Sequence, residues 1–411
     1  MNRKSSTRAA ELMSEARGRP LADLVLEFIW QQRQVSRAEI ARRLDLSRST
    51  VSEIVASLLE TGLVAEGADG PSRGGRRPIL LEFQDDAHVI LGAEMGATHV
   101  AVALTDLRGR VLAWENRAHP VRSDAEGTIA LMVELMDACL AEVDSPADLL
   151  GIGVAVPSPV DPRHPDQLSK VVMPAWQGRS GMAEIRARYG VPVFVDNDAN
   201  LGAVAERWWG AGRGIDDFTY IKVATGVGAG YVIRGEVYPG ATSVAGEIGH
   251  LAIDPEGEAC MCGNRGCLAT LVGTPALVGR ARELLPEFPD SALADATITI
   301  TAIEDAALED DPLALKVVGE AAHNLGIAVA GILNLMNPAA VIIGGGLARV
   351  ADRLLIPLRE TVMNRTLVSS VADTAIRTSE LGPRSIAVGA ATRVLEAALA
   401  DPALFPGRRA T

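Results

Sequence analysis

The chain has 411 residues, of which 48% are hydrophobic and 22% are charged, which is ordinary for a soluble globular protein with room for two or three domains. The N-terminal segment is charged, and no uninterrupted apolar run approaches about 18 residues, so we expect neither a signal peptide nor a membrane-spanning helix. Four cysteines, three of them clustered, do not form a disulfide framework and favour a metal site in a reducing cytoplasm.

The net charge of −13 is unevenly distributed along the chain. Up to Glu82 there are 13 Lys and Arg against 11 Asp and Glu, a balance of +2, so the remainder carries −15. The acidic body argues against unspecific adhesion to nucleic acid. Contact with a polyanion is therefore expected in the near-neutral to basic N-terminal head.

Three helical patterns occupy residues 20–62 of this head. The first has a single apolar stripe, formed by Leu21, Leu24, Val25, Phe28 and Ile29. Ser36 followed by Glu39 is a capping-box signature that opens a second helix through Leu44. A third helix begins at about Arg48, ends at Gly62, and buries Val51, Ile54, Val55, Leu58 and Leu59. The last two helices are typical of a helix-turn-helix, whose second helix enters the major groove.

The third helix carries the candidate DNA-reading side chains at its N-terminal end, where they reach base edges and phosphates: Arg48, Ser49, Thr50 and Ser52. The Gly- and Pro-rich stretch after it indicates a basic wing along the backbone or minor groove, bearing Arg73, Arg76 and Arg77. The alternative is a small helical packing domain with a solvated basic loop. The charge asymmetry favours DNA binding.

From Val89 onward strands alternate with helices, which indicates an α/β body. The strand, glycine turn, strand plan of "VILGAEMGATHVAVALTDLRGRVL" recurs about 130 residues later in "TYIKVATGVGAGYVIRGEVY". The duplication predicts two similar lobes around a cleft, with turn N–H groups available to phosphate, although ordinary glycine-rich hairpins would give the same pattern. There is no Walker A motif and no G-x-G-x-x-G after a strand, which leaves a two-lobed phosphotransferase cleft open.

The segment "VPVFVDNDANLGAVAERWWGAG" predicts a buried strand followed by a helix. Strand ends in such sheets face the ligand crevice, where Asp198 could accept a proton from a substrate hydroxyl and Asn197 could hold a neighbouring hydroxyl. Alternatively, Asp198 or Asn200 merely caps the helix.

A long helix is predicted from Asp311-Pro312 to about Met336, with Asp as the cap and Pro in the first turn. A short strand, the glycines 344–346 and another helix follow. These glycines either admit an adenine or ribose face or only allow the helix to pack closely on the sheet.

The stretch "GHLAIDPEGEACMCGNRGC" brings together His250, Cys260, Cys262 and Cys267. One imidazole and three thiols fill a tetrahedral shell, which predicts a closed structural zinc site rather than a coincidence of free thiols. The turn 263–266 can fold the last thiol back toward the other two, and the metal would pin the loop of Glu247 against the cleft. Cys139 lies in an apolar helical run and is expected in the core.

The winged helix-turn-helix and the motifs "DNDAN", "GEIGH", "CMCGNRGC" and "NPAAVIIGGGL" resemble the ROK family (repressors, open reading frames and kinases) over nearly the whole chain. The resemblance implies an actin-like, two-lobed sugar-kinase fold with zinc on the His and Cys ligands named above. It implies hexose contacts from Asn197, Asp198, Glu247 and His250, with Asp198 matching the kinases' catalytic base. The DNA-binding head marks the regulator branch of that family.

Two departures from the family pattern and one retained feature bear on activity. Family kinases have D-x-G-G-T in the first phosphate loop, whereas residues 94–99 read Glu-Met-Gly-Ala-Thr-His, which disturbs a backbone-to-phosphate fit. Ala269 stands where the cysteine motif usually ends in a sugar-contacting glutamate, and losing such an acceptor costs a matching ligand on the order of 1–3 kcal/mol. The second glycine loop, residues 225–230, is largely intact. This combination is typical of a sensor without catalysis.

We therefore expect a cytoplasmic, sugar-responsive transcription factor, a repressor that binds a pseudo-palindromic operator as a homodimer or dimer of dimers and answers a sugar or sugar phosphate. The alternatives are an active ATP-dependent sugar kinase with a DNA-binding head, using Asp198 as base, and a regulator that answers a protein partner. The expected domains are a winged head (1–82), a first lobe (83–198) joined by a C-terminal helix (384–400), and a second lobe with the zinc site (199–383).

Overall fold

The computed structural model describes residues 21–70, 77–143, 148–366 and 374–405. The described part of the head forms three helices and a three-stranded antiparallel sheet of order β1-β3-β2. Its elements in chain order are α1 (Leu21–Gln32), β1 (Gln34–Ser36), α2 (Arg37–Arg43), α3 (Arg48–Thr61), β2 (Val64–Asp69) and β3 (Ile79–Phe83).

Local side-chain chemistry fixes the ends of the head helices. The Ser36 hydroxyl accepts a hydrogen bond from the Glu39 N–H at 3.2 Å, so the predicted cap of α2 is confirmed. Ser47 caps α3 in the same way, and Gly62 ends it with a left-handed φ of 76°. Leu21, the first member of the apolar stripe of α1, is 44% exposed because it lies at the first residue of the helix.

The first lobe is built on a five-stranded sheet of order β6-β5-β4-β7-β8. Its strands are β4 (His88–Met95), β5 (His99–Thr105), β6 (Val111–Ala118), β7 (Asp148–Val156) and β8 (Val193–Asn197). The first three pair antiparallel, and β7 and β8 are added in parallel. Two helices connect them, α4 (Ala125–Ala141), which covers one face of the sheet, and α5 (Met182–Tyr189). Cys139 on α4 is fully buried, as predicted.

The second lobe repeats this topology, which confirms the predicted duplication. Its sheet has the order β11-β10-β9-β12-β13, with the first three strands antiparallel and the last two parallel. The strands are β9 (Phe218–Val223), β10 (Val227–Ile233), β11 (Glu236–Val237), β12 (Ala340–Gly345) and β13 (Ala375–Thr378). The helices are α7 (Ala269–Val272), α8 (Thr274–Leu284), α9 (Ile300–Leu308), α10 (Pro312–Met336) and α11 (Asp352–Arg365).

Two helices lie between the sheets, α6 (Asp198–Trp209) and α12 (Ser385–Ala400). Helix α12 packs on β4 and β7 of the first sheet, while α6 packs on α12 and on β9 and β10 of the second. The approach is so close that a methyl group on Gly92 or Gly153 would collide with the α12 carbonyls of Ala387 and Ala390. The lobes are therefore joined through a tightly packed helical layer.

Helix α10 is the longest described helix, and its predicted Asp311 cap is confirmed by a 3.0 Å hydrogen bond from the Ala314 N–H. Its length and apolar composition would suffice to cross a membrane, but 61% of its most apolar window is buried. Packing against α8, α9 and α11 accounts for this composition, as in the core helix of a globular lobe.

Candidate functional site

A cleft of about 1040 Å³ is lined by residues of both lobes. Both glycine turns contribute to its wall, residues 96–99 from the first lobe and 224–228 from the second. Asn197, Asp198, Glu247 and His250, the four predicted sugar contacts, all line it together with Lys222. The duplicated lobes thus bring residues from distant parts of the sequence to one concave surface.

A buried ionic triad lies at the floor of this cleft, where Asp198 and Lys222 belong to the lining and Glu94 contacts Lys222. The Lys222 ammonium lies 2.8 Å from Asp198 Oδ2 and 3.0 Å from Glu94 Oε1. Glu94 belongs to β4 of the first lobe, Asp198 begins α6, and Lys222 belongs to β9 of the second lobe. The side chain of Lys222 is only 12% exposed. The triad therefore ties the two lobes together where the predicted catalytic base stands.

Glu94 and Lys222 of this triad favour each other's charged form. Burial disfavours the carboxylate of Glu94, but Lys222 and His99 outweigh it and lower the pKa of Glu94 to about 2. Burial likewise disfavours the ammonium of Lys222, but Asp198 and then Glu94 outweigh it and raise the Lys222 pKa above its usual range. Glu94 is therefore a carboxylate and Lys222 an ammonium at neutral pH.

The cap of α6 differs from the expected one. Neither Asp198 nor Asn200 caps this helix; the side-chain oxygen of Asn197 does so, accepting from the N–H groups of Ala199 at 2.9 Å and Asn200 at 3.4 Å. Asn197 has the extended backbone (φ −64°, ψ 143°) that a cap requires, whereas Asp198 is already helical. The side-chain amide nitrogen of Asn197 donates to the Ser158 carbonyl at 3.2 Å, which leaves its second amide N–H for a ligand.

The two glycine turns differ in what covers them. In the first, the His99 imidazole lies against Gly96, so that a methyl group added to Gly96 would collide with it. His99 Nε2 is also 3.7 Å from Glu94 Oε2. In the second, a methyl group on Gly226 would meet no described atom within 4 Å. The first turn is therefore filled by its own side chains, while the second is open to the cleft.

The glycines 344–346 have mixed roles. Added methyl groups on Gly344 and Gly345 would collide with Tyr220 and with the Val223 carbonyl, so both are required by close packing. Gly346 lines the cleft. A methyl group on Gly346 would also meet the Glu304 carboxylate, so packing restricts all three glycines, and Gly346 is the one of them in the cleft lining.

Four potential metal ligands converge beside the cleft. The ligand atoms of His250, Cys260, Cys262 and Cys267 all lie within 4.8 Å of one another. The Sγ atoms of Cys262 and Cys267 are 3.6 Å apart, close to the ~3.8 Å between two thiolates bound tetrahedrally at about 2.3 Å to zinc. Gly266, at φ 59°, makes the sharp turn that returns Cys267, because a methyl group there would collide with the Asp254 carbonyl. The donor set and its spacing fit one tetrahedral metal ion.

The same loop presents polar groups to the cleft. His250 Nδ1 is 3.5 Å from Cys260 Sγ, whereas Nε2 is 3.8 Å from Glu247 Oε2. Burial raises the pKa of Glu247, as does the nearby Asp198. Ala269 lines the cleft at the position where the cysteine motif usually has glutamate. One nitrogen of His250 therefore faces the cysteine cluster and the other faces Glu247.

The head presents the predicted DNA-reading residues on its surface. Arg48, Ser49 and Ser52 are exposed and Thr50 is half-buried, at the start of α3. Ser49 and Thr50 hydroxyls lie 2.8 Å from the Ser47 hydroxyl, and Ser52 donates to the Arg48 carbonyl at 2.8 Å. Arg77 at the end of the wing is exposed, while Arg73 and Arg76 lie outside the described residues.

A tryptophan cluster joins the head to the body. Trp30 of α1 packs edge-on against Trp208 at a centroid distance of 5.2 Å and lies 6.3 Å from Trp209. Its indole N–H donates to the Leu107 carbonyl, and the Arg108 guanidinium lies 4.4 Å from its ring. The indoles of Trp208 and Trp209 donate to Glu396 and Thr392 of α12. The junction therefore contains the C-terminal end of α6, whose other end carries Asp198.

Sequence reasoning missed Lys222 and treated His99 only as part of a turn. A signal existed for the lysine, since "FTYIKV" places a charge within an otherwise apolar strand. A charge at such a position indicates a buried partner. The partner itself, Glu94, is 128 residues away and could not be named from the strand.

Comparison with known proteins places these features in context. The sequence model of the ROK family matches residues 90–397, and that of the MarR family matches residues 24–77. The "Xylose repressor" of Bacillus subtilis (strain 168) is 31% identical over 379 residues, covering 91% of this chain and 94% of its own. The "DNA-binding transcriptional dual regulator NagC" of Escherichia coli (strain K12) is 33% identical over 382 residues, covering 91% and 92%.

Two solved structures extend the similarity to three dimensions. A ROK family transcriptional regulator described as a homolog of the E. coli MLC protein superimposes with a TM-score of 0.79 at 27% identity, over 93% of this chain and 96% of that one. A ROK family glucokinase from Streptomyces griseus, in complex with glucose and AMPPNP, gives 0.66 at 30% identity, over 74% and 98%. The regulator matches head and body together, whereas the kinase matches three quarters of the chain.

Proposed function

Because the chain belongs to the ROK family and carries a MarR-type winged helix domain, we propose that it is a sugar-responsive transcriptional repressor that binds operator DNA. The observation that carries this function is the joining of a DNA-binding head and a sugar-kinase-like cleft in one chain. Relatives named as a xylose repressor and as a DNA-binding transcriptional dual regulator match this chain over more than nine tenths of their length.

The head would read DNA through the N-terminal end of α3. Exposed Arg48, Ser49 and Ser52, with Thr50 beside them, stand where a recognition helix contacts base edges and phosphates. The wing would add backbone or minor-groove contacts from Arg73, Arg76 and Arg77. Because a pseudo-palindromic operator has two half-sites, the active species is a homodimer or a dimer of dimers in the cytoplasm.

The cleft would hold the sugar effector. Asp198 and Glu247 offer carboxylate oxygens to sugar hydroxyls, and Asn197 and His250 offer an N–H donor and the second ring nitrogen. We assign residues 83–198 with the helix 384–400 to the first lobe and 199–383 to the second, after the head at 1–82. The cleft lies between these lobes.

Zinc is the ion that best suits His250, Cys260, Cys262 and Cys267, because three thiolates and one imidazole complete its tetrahedral shell. A filled shell leaves no position for substrate, so the metal supplies stability and no chemistry. It would hold the loop that presents Glu247 and His250 to the cleft.

Helix α6 offers a route from the cleft to the head. Its first residue, Asp198, faces the sugar site, and its last two, Trp208 and Trp209, pack against Trp30 of the head. A sugar that favours one lobe arrangement would shift this helix and thereby the head. Operator affinity changes only by the difference in sugar affinity between the two arrangements.

A kinase carrying a DNA-binding head is the second candidate, favoured by the glucokinase similarity, the open second turn and the position of Asp198. The filled first glycine turn argues against it, because the His99 imidazole lies against Gly96, where a phosphate would approach the backbone N–H groups. ADP release above background with ATP and a sugar, abolished in Asp198→Asn, would establish the kinase.

The test of the proposed function is fluorescence anisotropy of the full-length protein on DNA from upstream of its own gene, at a stated salt concentration. We expect tight binding that Arg48→Ala weakens, and release when one of the free or phosphorylated sugars of a panel is added. Trp30→Ala should reduce the effect of that sugar on DNA binding, while Trp114→Ala, outside the junction, should not. Operator affinity that no sugar changes would refute the sugar response.

A further inference from the structure

The cation on the cleft floor is already committed to two carboxylates. Lys222 contacts Asp198 at 2.8 Å and Glu94 at 3.0 Å, and all three side chains are less than 15% exposed. An ammonium with two carboxylates leaves this group with one net negative charge. A phosphate placed here would have to compete with both carboxylates for the same ammonium.

The rest of the described lining makes the cleft more acidic. Among the lining residues are five carboxylates, those of Asp198, Glu247, Glu258, Glu283 and Glu320. The cations of that lining are Lys222, Arg280 and Arg122. Arg280 lies 2.7 Å from Glu320 and 2.8 Å from Glu283, so it is neutralised as Lys222 is. Within the described lining, Arg122 is thus the cation without a carboxylate contact, and its Nη1 lies 3.8 Å from Met261 Sδ of the metal loop.

The turn that would cradle a phosphate in the first lobe is also filled. The His99 imidazole lies against Gly96, where a phosphate oxygen would need to approach the backbone N–H groups. The carboxylate of Glu94 stands behind it, 3.7 Å from His99 Nε2. Phosphate would meet a side chain and a negative charge at this turn.

Neutral hydroxyls suit the same surface. Lys222 occupies Oδ2 of Asp198, which leaves Oδ1 to accept a hydrogen bond from a hydroxyl. We infer that the effector is an uncharged, unphosphorylated sugar, an inference that rests on the proposed sugar response. Lys222, held by Glu94 and Asp198, is the residue that sets this specificity.

The test is calorimetric titration of the full-length, zinc-loaded protein with D-xylose, D-glucose, N-acetyl-D-glucosamine and the 6-phosphates of the last two. We expect one free sugar to bind, with any phosphate ester at least about 100-fold weaker than its parent sugar because of like-charge repulsion. A phosphate ester that binds more tightly than its parent would overturn the inference while leaving the sugar response intact, above all if Arg122→Ala abolished that binding. Binding of none of these probes or other sugars, with operator binding retained, would instead overturn the sugar response.

A charge-neutralising variant tests the role of the triad. Glu94→Gln keeps the shape of the side chain but removes one negative charge, so the preference for the free sugar over its phosphate should fall by about tenfold. Glu360→Gln, which removes the same charge from an exposed position on α11, should leave that ratio unchanged. The ratio is informative because a general loss of folding would weaken both ligands together. An unchanged ratio in a folded Glu94→Gln protein contradicts the assignment.

Discussion

The glycine turns of the two lobes occupy equivalent places in sheets of the same strand order, yet they have different surroundings. The turn between β4 and β5 is covered by His99 and backed by the Glu94 to Lys222 ion pair. The turn between β9 and β10 leaves Gly226 open. A duplicated backbone therefore does not imply two equivalent binding sites, because the side chains beside each turn decide whether a ligand can approach.

The largest loss of stability is expected when the metal loop of the second lobe loses one of its cysteine ligands. Cys262→Ser removes one ligand of the proposed zinc, and the loop of Glu247 and His250 would lose its anchor. We expect the melting temperature to fall by about 10 °C and the sugar response to disappear, since structural zinc contributes directly to folding free energy. Elemental analysis should find one zinc per chain in the parent protein and in the control Cys139→Ala. A metal-free parent of full stability would refute the site.

The next largest loss of stability should come from removing the Lys222 ammonium, whose ion pairs join the two lobes. Lys222→Met leaves Glu94 and Asp198 buried without their counter-ion, which should lower the free energy of unfolding by about 3–5 kcal/mol. Urea denaturation followed by circular dichroism measures this. Lys170→Met, at an exposed position, should change stability by less than about 0.5 kcal/mol. Equal stabilities of the two variants would show that the triad does not hold the lobes.

The first turn should also give the protein a distinct response to acid. The pKa of Glu94 is about 2 in the folded protein, below its ordinary value of 4.5, so its ionisation stabilises the fold. This contribution, on the order of 3 kcal/mol, is fully present above pH 4.5 and is lost as the pH falls toward 2. Urea midpoints between pH 5 and pH 3 should therefore fall more steeply for the parent than for Glu94→Gln. Parallel curves would contradict the lowered pKa.

The smallest effects compare the two turns directly. Gly96→Ala must displace the His99 ring and should cost about 1 kcal/mol, whereas Gly226→Ala enters open space and should stay within about 0.5 kcal/mol. Thermal denaturation of the paired variants measures the difference. Gly226→Ala should nevertheless be the more harmful to any ligand at the open turn. Similar stability losses in both would mean that the turns are equally packed.

The features that the sequence predicted are those governed by neighbouring residues. The caps at Ser36 and Asp311 and the left-handed Gly62 follow from side chains within three positions of the helix ends. The cysteine cluster also lies within one short stretch, so its spacing sufficed to predict the convergence of the thiols. Glycine turns of similar sequence predicted the duplicated lobes for the same reason.

The features that could not be predicted depend on distant partners or on backbone angles. The carboxylate that holds Lys222 comes from the other lobe, and Trp30 meets Trp208 from 178 positions away in the sequence. The cap of α6 was assigned wrongly because Asn197, Asp198 and Asn200 are all competent caps. Only the extended backbone at Asn197 distinguishes it from the others.

The tryptophan junction gives this protein a built-in optical signal. Three of its five tryptophans, Trp30, Trp208 and Trp209, meet where the head contacts the body, with a guanidinium over one ring. Indole emission depends on the polarity and charge around the ring, so any movement of the head should change the intrinsic fluorescence. Effector binding could then be followed in unlabelled protein without DNA, and the kinetics of the switch measured by rapid mixing.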